Sequence, residues 1–243
     1  MSELIKHRKV NNILTISLNR LDKKNALTAA MYSELAGIFR SQVTDINVVI
    51  LTGGTDFTAG NDLADFLDNP PSTSDAPVYE FMRALTNCPV PVIAAVDGVA
   101  VGIGTTLLLH CDFVYATAKS LFMMPFINLA VVPEFASSLL LPLRVGHVKA
   151  AEMLLLGEKF DAQTALQYGI INQVCDSENL QATAIATAEK LASKPRSALT
   201  QSKALMRRDA EPLAQRIALE SEIFSQMVAA PEARTAINKV LKR

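Results

Sequence analysis

Between Lys119 and Arg144 the chain carries one ionisable side chain, Glu134, set in the run VVPEFASSLLLP (131–142). A carboxylate in apolar surroundings is costly to bury unless it is paired, hydrogen-bonded or put to use. Pro133 suits the first turn of a helix, which would place Glu134 in that turn. There the helix dipole favours the ionised carboxylate, whereas Val132 and Phe135 favour the neutral acid. Opposed influences of this kind bring a carboxyl group toward the pKa of a working base. The alternative is an ordinary first-turn glutamate facing solvent, and sequence position leaves both open.

The glycine-rich stretches supply the other candidate chemistry. GVAVGIGTTL (98–107) follows an apolar run and opens a helical one, but Leu107 stands where a dinucleotide fingerprint needs its third glycine. GGTDFTAG (53–60) lacks the Lys-Ser/Thr pair of a phosphate loop. A turn such as 98–104 brings backbone N–H groups to a helix start, where they stabilise an anion. Close packing of strand on helix explains the same glycines. No nucleophile elbow of the G-x-S-x-G type is present, and Ser137 and Ser138 have no histidine nearby in sequence. His110, inside LLLHC, fits a core histidine, and His147 a surface one. Asp97 and Asp112, at strand ends, fit turns and caps.

Short strands and helices must position these groups. ILTISLN (13–19) alternates apolar and polar residues, as a half-buried strand does. LTAAMYSELAGIFRSQ (27–42) spaces Met31, Leu35, Ile38 and Phe39 as a helix, with Thr28 as its N-cap. VVILTGG (48–54) and VPVIAAVDG (90–98) are buried strands ending in turns. TTLLLHC (105–111) is helical, and DFVYAT (112–117) is a further strand. Recurrent strand, turn and helix predict an α/β fold built from related units. Beyond residue 145 the pattern is helical over 146–157, 161–169, 178–194, 195–209 and two final amphipathic segments, with IINQV (170–174) interrupting. NPPSTSDAP (69–77) is a loop of the kind that lies beside binding sites.

Bulk composition narrows the function classes. Half of the 243 residues are apolar, enough for one large core. A net charge of −1 offers no footprint for nucleic acid or an anionic membrane, and the basic clusters at 6–9 and 239–243 fit solvated termini. Three dispersed cysteines, Cys88, Cys111 and Cys175, suggest buried thiols in a reducing compartment, and three histidines leave no His-rich metal site. The N-terminus lacks a signal-peptide core, no apolar run is long enough to span a bilayer, and VLKR is not a peroxisomal address. A cytoplasmic protein is expected.

Five ordered segments then carry a resemblance. NRLDKKNALT (19–28), FTAGNDLADF (57–66), PVPVIAAVDGVAVGIGTTLLLHCDFVYAT (89–117), PFINLAVVPEFASS (125–138) and GEKFDAQTALQYGIINQV (157–174) resemble the crotonase, or enoyl-CoA hydratase/isomerase, superfamily. The resemblance implies a crotonase-like spiral of ββα units over 1–190. A helical C-terminal region, 191–243, would build a homotrimer or a hexamer. It implies an acyl-CoA thioester as substrate, no separate cofactor and no metal. An enolate would be held by the backbone N–H groups of Asn61 and Ile103. Lys24, Ala26, Ala59, Asp62 and Leu63 match positions that contact coenzyme A.

The departures from the family pattern are informative. Hydratases use two glutamates, and their positions here are Thr106 and Phe126. Hydration needs one group to activate water and another to deliver a proton, and neither residue does that. Glu134 instead matches the acidic position of the peroxisomal-type Δ3,Δ2-enoyl-CoA isomerases, a group that Ile103 also fits. A 1,3-proton shift needs one carboxylate. The resemblance therefore implies such an isomerase in fatty-acid metabolism, with Glu134 catalytic. The alternatives are another crotonase-type reaction, hydration or thioester hydrolysis, and a non-catalytic acyl-CoA-binding module. Met82, Leu85, Met123, Met124, Phe126 and Phe135 are apolar enough for an acyl pocket, although core packing accounts for most such residues.

Overall fold

A computed structural model describes residues 4–206 and 213–241. Two strands, β1 (Ile5–Val10) and β2 (Ile13–Leu18), form an antiparallel hairpin closed by Asn11 and Asn12, both at positive φ. The polar run of β1 does not announce a strand. Only Ile5 is buried, and Lys6, His7, Arg8 and Lys9 are exposed at the sheet edge, where charge discourages further pairing. The basic cluster at 6–9 is thus solvated as expected, but in a strand. Helix α1 (Ala29–Ser41) follows, capped by Thr28, whose Oγ1 accepts the Met31 N–H at 3.4 Å. It buries Met31, Leu35, Ile38 and Phe39, the predicted stripe.

Next come β3 (Val48–Thr52), α2 (Leu63–Asp68), α3 (Pro77–Thr86), β4 (Val92–Val96), β5 (Val99–Val101) and α4 (Ile103–Thr106). Helix α4 tightens into a 3-10 turn over Leu107–His110. Strands β6 (Phe113–Thr117) and β7 (Leu121–Met123) lead to α5 (Ser137–Val145), α6 (His147–Ala151) and a π turn over Glu152–Leu156. Then follow β8 (Lys159–Asp161), α7 (Ala162–Gln167), β9 (Gln173–Cys175) and α8 (Leu180–Ala192). Helices α9 (Arg196–Met206), α10 (Leu213–Ala229) and α11 (Pro231–Leu241) complete the described chain. Residues 207–209 of the expected 195–209 helix, and Lys242 and Arg243 of the terminal basic cluster, lie outside the described residues.

Six strands form one sheet in the order β1-β2-β3-β4-β6-β9, parallel from β2 onward, and β5-β7-β8 form a second. β4 and β6 each continue directly into the small sheet, as β5 and β7, which pair in parallel from Val99↔Leu121 to Val101↔Met123. The segment after β3 does the same in reduced form, with Thr58 bridged to Ala100. This recurrence is the spiral of ββα units, and it brings the ends of three successive units side by side.

The uninterrupted apolar strands are buried on both faces, as parallel strands are. Val49, Leu51, Val92, Ala94 and Val96 face the main core, while Val48, Ile50, Ile93 and Ala95 face Leu180, Ala184 and Ala188 of α8. Alternation along each strand divides the two cores. The three cysteines are buried, and none forms a disulfide among the described residues. Among the described residues no helix is long and apolar enough to cross a membrane.

Candidate active site

Three loops meet where the units end. The Ala59 N–H donates to Lys24 O at 2.9 Å, the Leu27 N–H to Gly60 O at 2.8 Å, and the Asp62 N–H to Leu27 O at 2.9 Å. Thr58 joins them to the next unit, its N–H donating to Val99 O and its O accepting the Val101 N–H, both at 3.0 Å. Gly60 sits at φ +87°, and a Cβ there would lie 2.6 Å from Val101 O, so this approach requires glycine.

Asn25, a residue the sequence reading passes over, fixes the first loop. It is fully buried at positive φ, with Nδ2 donating to Gly53 O and Asp56 O at 2.7 Å and Oδ1 accepting the Arg20 N–H at 2.8 Å. The asparagine between Lys24 and Ala26 is its only signal, since Asn tolerates that conformation better than most residues.

Asn61 and Ile103 lie on either side of this junction and line one cavity of about 490 Å³. The Leu27–Asn61 bridge uses the N–H groups of Leu27 and Asp62, and Ile103 is the first residue of α4, where an N–H has no intrahelical acceptor. Among the described residues neither N–H donates to a protein acceptor. Apart from Asn128 the rest of the cavity wall is mostly apolar, with Leu63, Phe66, Met123, Phe126, Leu129 and Val131, closed by Phe224 of α10 and Ile237 and Val240 of α11. The closing helices belong to the same chain.

Of the other residues matched to coenzyme A contacts, Ala59 and Leu63 line this cavity. Lys24 is exposed and Ala26 half-buried, and neither is among the lining residues. Asp62 lines a neighbouring cavity, and its carboxylate also holds the loop. It accepts the Ala64 and Asp65 N–H groups as the cap of α2 and pairs with Arg20 Nη1 at 2.7 Å. Burial raises its pKa, but the Arg20 guanidinium and the two N–H donors outweigh that and hold it below the usual value. A second cavity, of about 390 Å³, lies under the 69–77 loop and meets the first at Asn61 and Phe66. Tyr32 lines it and donates its hydroxyl to Asn61 Oδ1.

Glu134 is buried, with 4% of its surface exposed, so it does not face solvent. It is also not in a helix. α5 begins at Ser137, and Phe135 and Ala136 both hold positive φ, which excludes the helical first turn that Pro133 predicts. The helix dipole therefore does not reach Glu134 in the way the sequence suggests. Ser137 holds the turn instead, donating its N–H and its hydroxyl to Glu134 O at 3.0 and 2.6 Å.

The carboxylate bonds to α4. Thr106 Oγ1 donates to Glu134 Oε1 at 2.5 Å, while Oε2 is buried with no partner among the described residues. Burial pushes the Glu134 carboxyl up to about 8; the Thr106 hydroxyl opposes this and the Glu220 carboxylate adds to it. Its charge in turn helps hold the buried Tyr32 hydroxyl well above its ordinary value, after burial itself.

The remaining candidates are structural. His110 stacks on Phe135 at 3.9 Å, with Nε2 2.7 Å from Phe135 O, a satisfied core histidine as expected. His147 is exposed. Asp112 Oδ2 accepts the Val92 N–H and pairs with buried Lys203, both at 2.7 Å, fastening α9 to the sheet. Met82, Leu85, Met124 and Phe135 are core residues, and Met123 and Phe126 line the larger cavity.

Comparison with known proteins gives the family of the chain. A family model described as enoyl-CoA hydratase/isomerase matches residues 8–242. A solved structure, Pseudomonas aeruginosa OdaA, is 46% identical and superposes with a TM-score of 0.96 over all of both chains. The 1,2-epoxyphenylacetyl-CoA isomerase of Escherichia coli K12 is 37% identical over 80% of this chain and 78% of its own. Enoyl-CoA delta isomerase 2 of Rattus norvegicus is 34% identical over 81% of this chain, which spans about half (52%) of the rat protein.

Proposed function

The chain belongs to the enoyl-CoA hydratase/isomerase family, and we propose that within it this protein moves the double bond of a 3-enoyl-CoA to the 2-position. The observation that carries the reading is Glu134: a buried carboxyl group with one oxygen held by Thr106 and the other without a partner among the described residues. Its raised pKa suits a group that both accepts and returns a proton near neutral pH.

In this mechanism Glu134 takes a proton from C2 of the substrate. The electron pair of that C–H bond moves into the C1–C2 bond, and the thioester carbonyl becomes an oxyanion conjugated with the C3–C4 double bond. The N–H groups of Asn61 and Ile103 donate to this oxygen, a type of stabilisation that acts most strongly where charge develops. Glu134 then returns the proton to C4, the double bond settles between C2 and C3, and the carbonyl reforms. Coenzyme A enters and leaves as part of the substrate, so the scheme calls for no cofactor. Ala59 and Leu63 would contact its pantetheine arm, with Lys24 and Ala26 at the outer loop and Asp62 beside them, where it lines the neighbouring cavity.

Thr106 and Phe126 weigh against hydration, because neither side chain activates water. The test is conversion of trans-3-hexenoyl-CoA beside hydration of crotonyl-CoA. Isomerisation far faster than hydration supports the proposal, and the reverse order refutes it. The same reading takes the assembly as a homotrimer or hexamer. Leu143, Val148, Leu155 and Leu156 are apolar and exposed on α5, α6 and the π turn, surface that a second copy would cover. Sedimentation of a monomer alone would contradict it.

A further inference from the structure

The turn that aims Glu134 is unusual in its support. Ala136 is the N-cap of α5, and its side chain has no oxygen with which to cap. The missing acceptor comes from α10. Glu220, 5% exposed, accepts the Ala136 N–H and the Ser138 hydroxyl, and the Ser138 N–H at 3.2 Å. Arg216, one turn earlier on α10, donates Nη1 to Ser138 Oγ at 3.1 Å. All three contacts made by Glu220 are donors, the pattern of an ionised carboxylate. Burial dominates and holds its pKa above the usual value, although those donors and the Arg216 charge oppose the rise.

We propose that Glu220 is a positioning residue for Glu134, acting by pinning the Phe135–Ala136 turn from the C-terminal helix. The inference rests on the reading of Glu134 as the proton-transfer group. Glu220 touches no reacting atom in the scheme. It fixes the two left-handed residues that follow Glu134, and left-handed backbone at non-glycine residues persists only where surroundings enforce it. Its negative charge also disfavours ionisation of Glu134, working with burial to keep the acid in the neutral range. The other titratable or charged groups around Glu134 are Tyr32 of α1, Tyr79 of α3, His110 after α4 and Arg216 of α10. Of these, Tyr32 and Tyr79 themselves feel the Glu134 charge.

Two substitutions separate placement from charge. Glu220→Gln removes the charge, so the rise of kcat/KM with pH moves to lower pH. Looser placement also lowers kcat by up to roughly 100-fold, the cost of about an ångström of displacement. Glu220→Asp keeps the charge but shortens the reach, so kcat falls while the pH midpoint stays at the wild-type value. Unchanged kcat in Glu220→Asp, or an unmoved midpoint in well-folded Glu220→Gln, overturns the proposal. Infrared titration of the Glu134 carboxylic-acid band, assigned by its loss in Glu134→Gln, gives the midpoint without any substrate. If wild type fails to isomerise while this band still shifts in Glu220→Gln, the functional reading falls and the link between Glu220 and Glu134 stands.

Discussion

The Thr106 hydroxyl donates to Glu134 Oε1 at 2.5 Å, joining α4, the helix whose first N–H belongs to Ile103, to the loop before α5. Thr106, which the resemblance matches to a glutamate of family hydratases, thus holds a carboxyl group instead of supplying one. One hydrogen bond ties Glu134, which is not itself among the residues lining the larger cavity, to the helix whose first residue, Ile103, lines it.

Thr106→Val removes that donor while keeping the shape of the side chain. Without it the ionised form of Glu134 is less favoured, and the pH at which kcat/KM rises moves upward. Turnover near neutral pH falls accordingly. Thr106→Ser retains the hydroxyl and should stay close to wild type. A pH–rate series on the two variants checks this, and identical midpoints in both would show that the hydrogen bond has no bearing on ionisation.

Glu134 also makes stability depend on pH. Its folded pKa, about 8, lies above the ordinary 4.5, so above that ordinary value the folded state keeps a proton that the unfolded state has lost. Stability contributed by this group is full at low pH and is lost as pH rises through about 8. Glu134→Gln removes this slope. Relative to wild type, the variant should gain stability between about pH 5 and about pH 9, measured by urea unfolding. A constant difference across that range would contradict the raised pKa.

The chain's own sequence made much of this legible. The five-residue apolar strands β3 and β4, the helical spacing of α1 and its Thr28 cap all depend on local pattern, and local pattern sufficed. β1 has no such local signature, because only Ile5 faces the core and its polar run carries no strand period. Glu134 stood out by its isolation, yet its conformation did not follow from Pro133. The turn at Phe135 and Ala136 is held by Glu220, 84 residues further along, and no local signal reports such a partner. The partners of Asn25 and Arg20 carry no local signal for the same reason, since both residues fasten loops distant in sequence.

Gly60→Ala tests the loop junction. The added Cβ would meet Val101 O at 2.6 Å and must adopt φ near +87°. The variant should lose more than about 1 kcal/mol of stability. It should also bind acyl-CoA more weakly, because Asn61 follows directly and would move with it. Calorimetric titration with an unreactive saturated acyl-CoA measures this, and wild-type affinity would show that the junction does not set the position of Asn61.

The most direct test of the central claim is isomerisation of trans-3-hexenoyl-CoA by wild type and by Glu134→Gln. The account predicts a fall in turnover of roughly 10²–10⁴-fold, the usual share of a general base, with folding and acyl-CoA affinity retained. An unchanged rate in the variant would remove Glu134 from the chemistry.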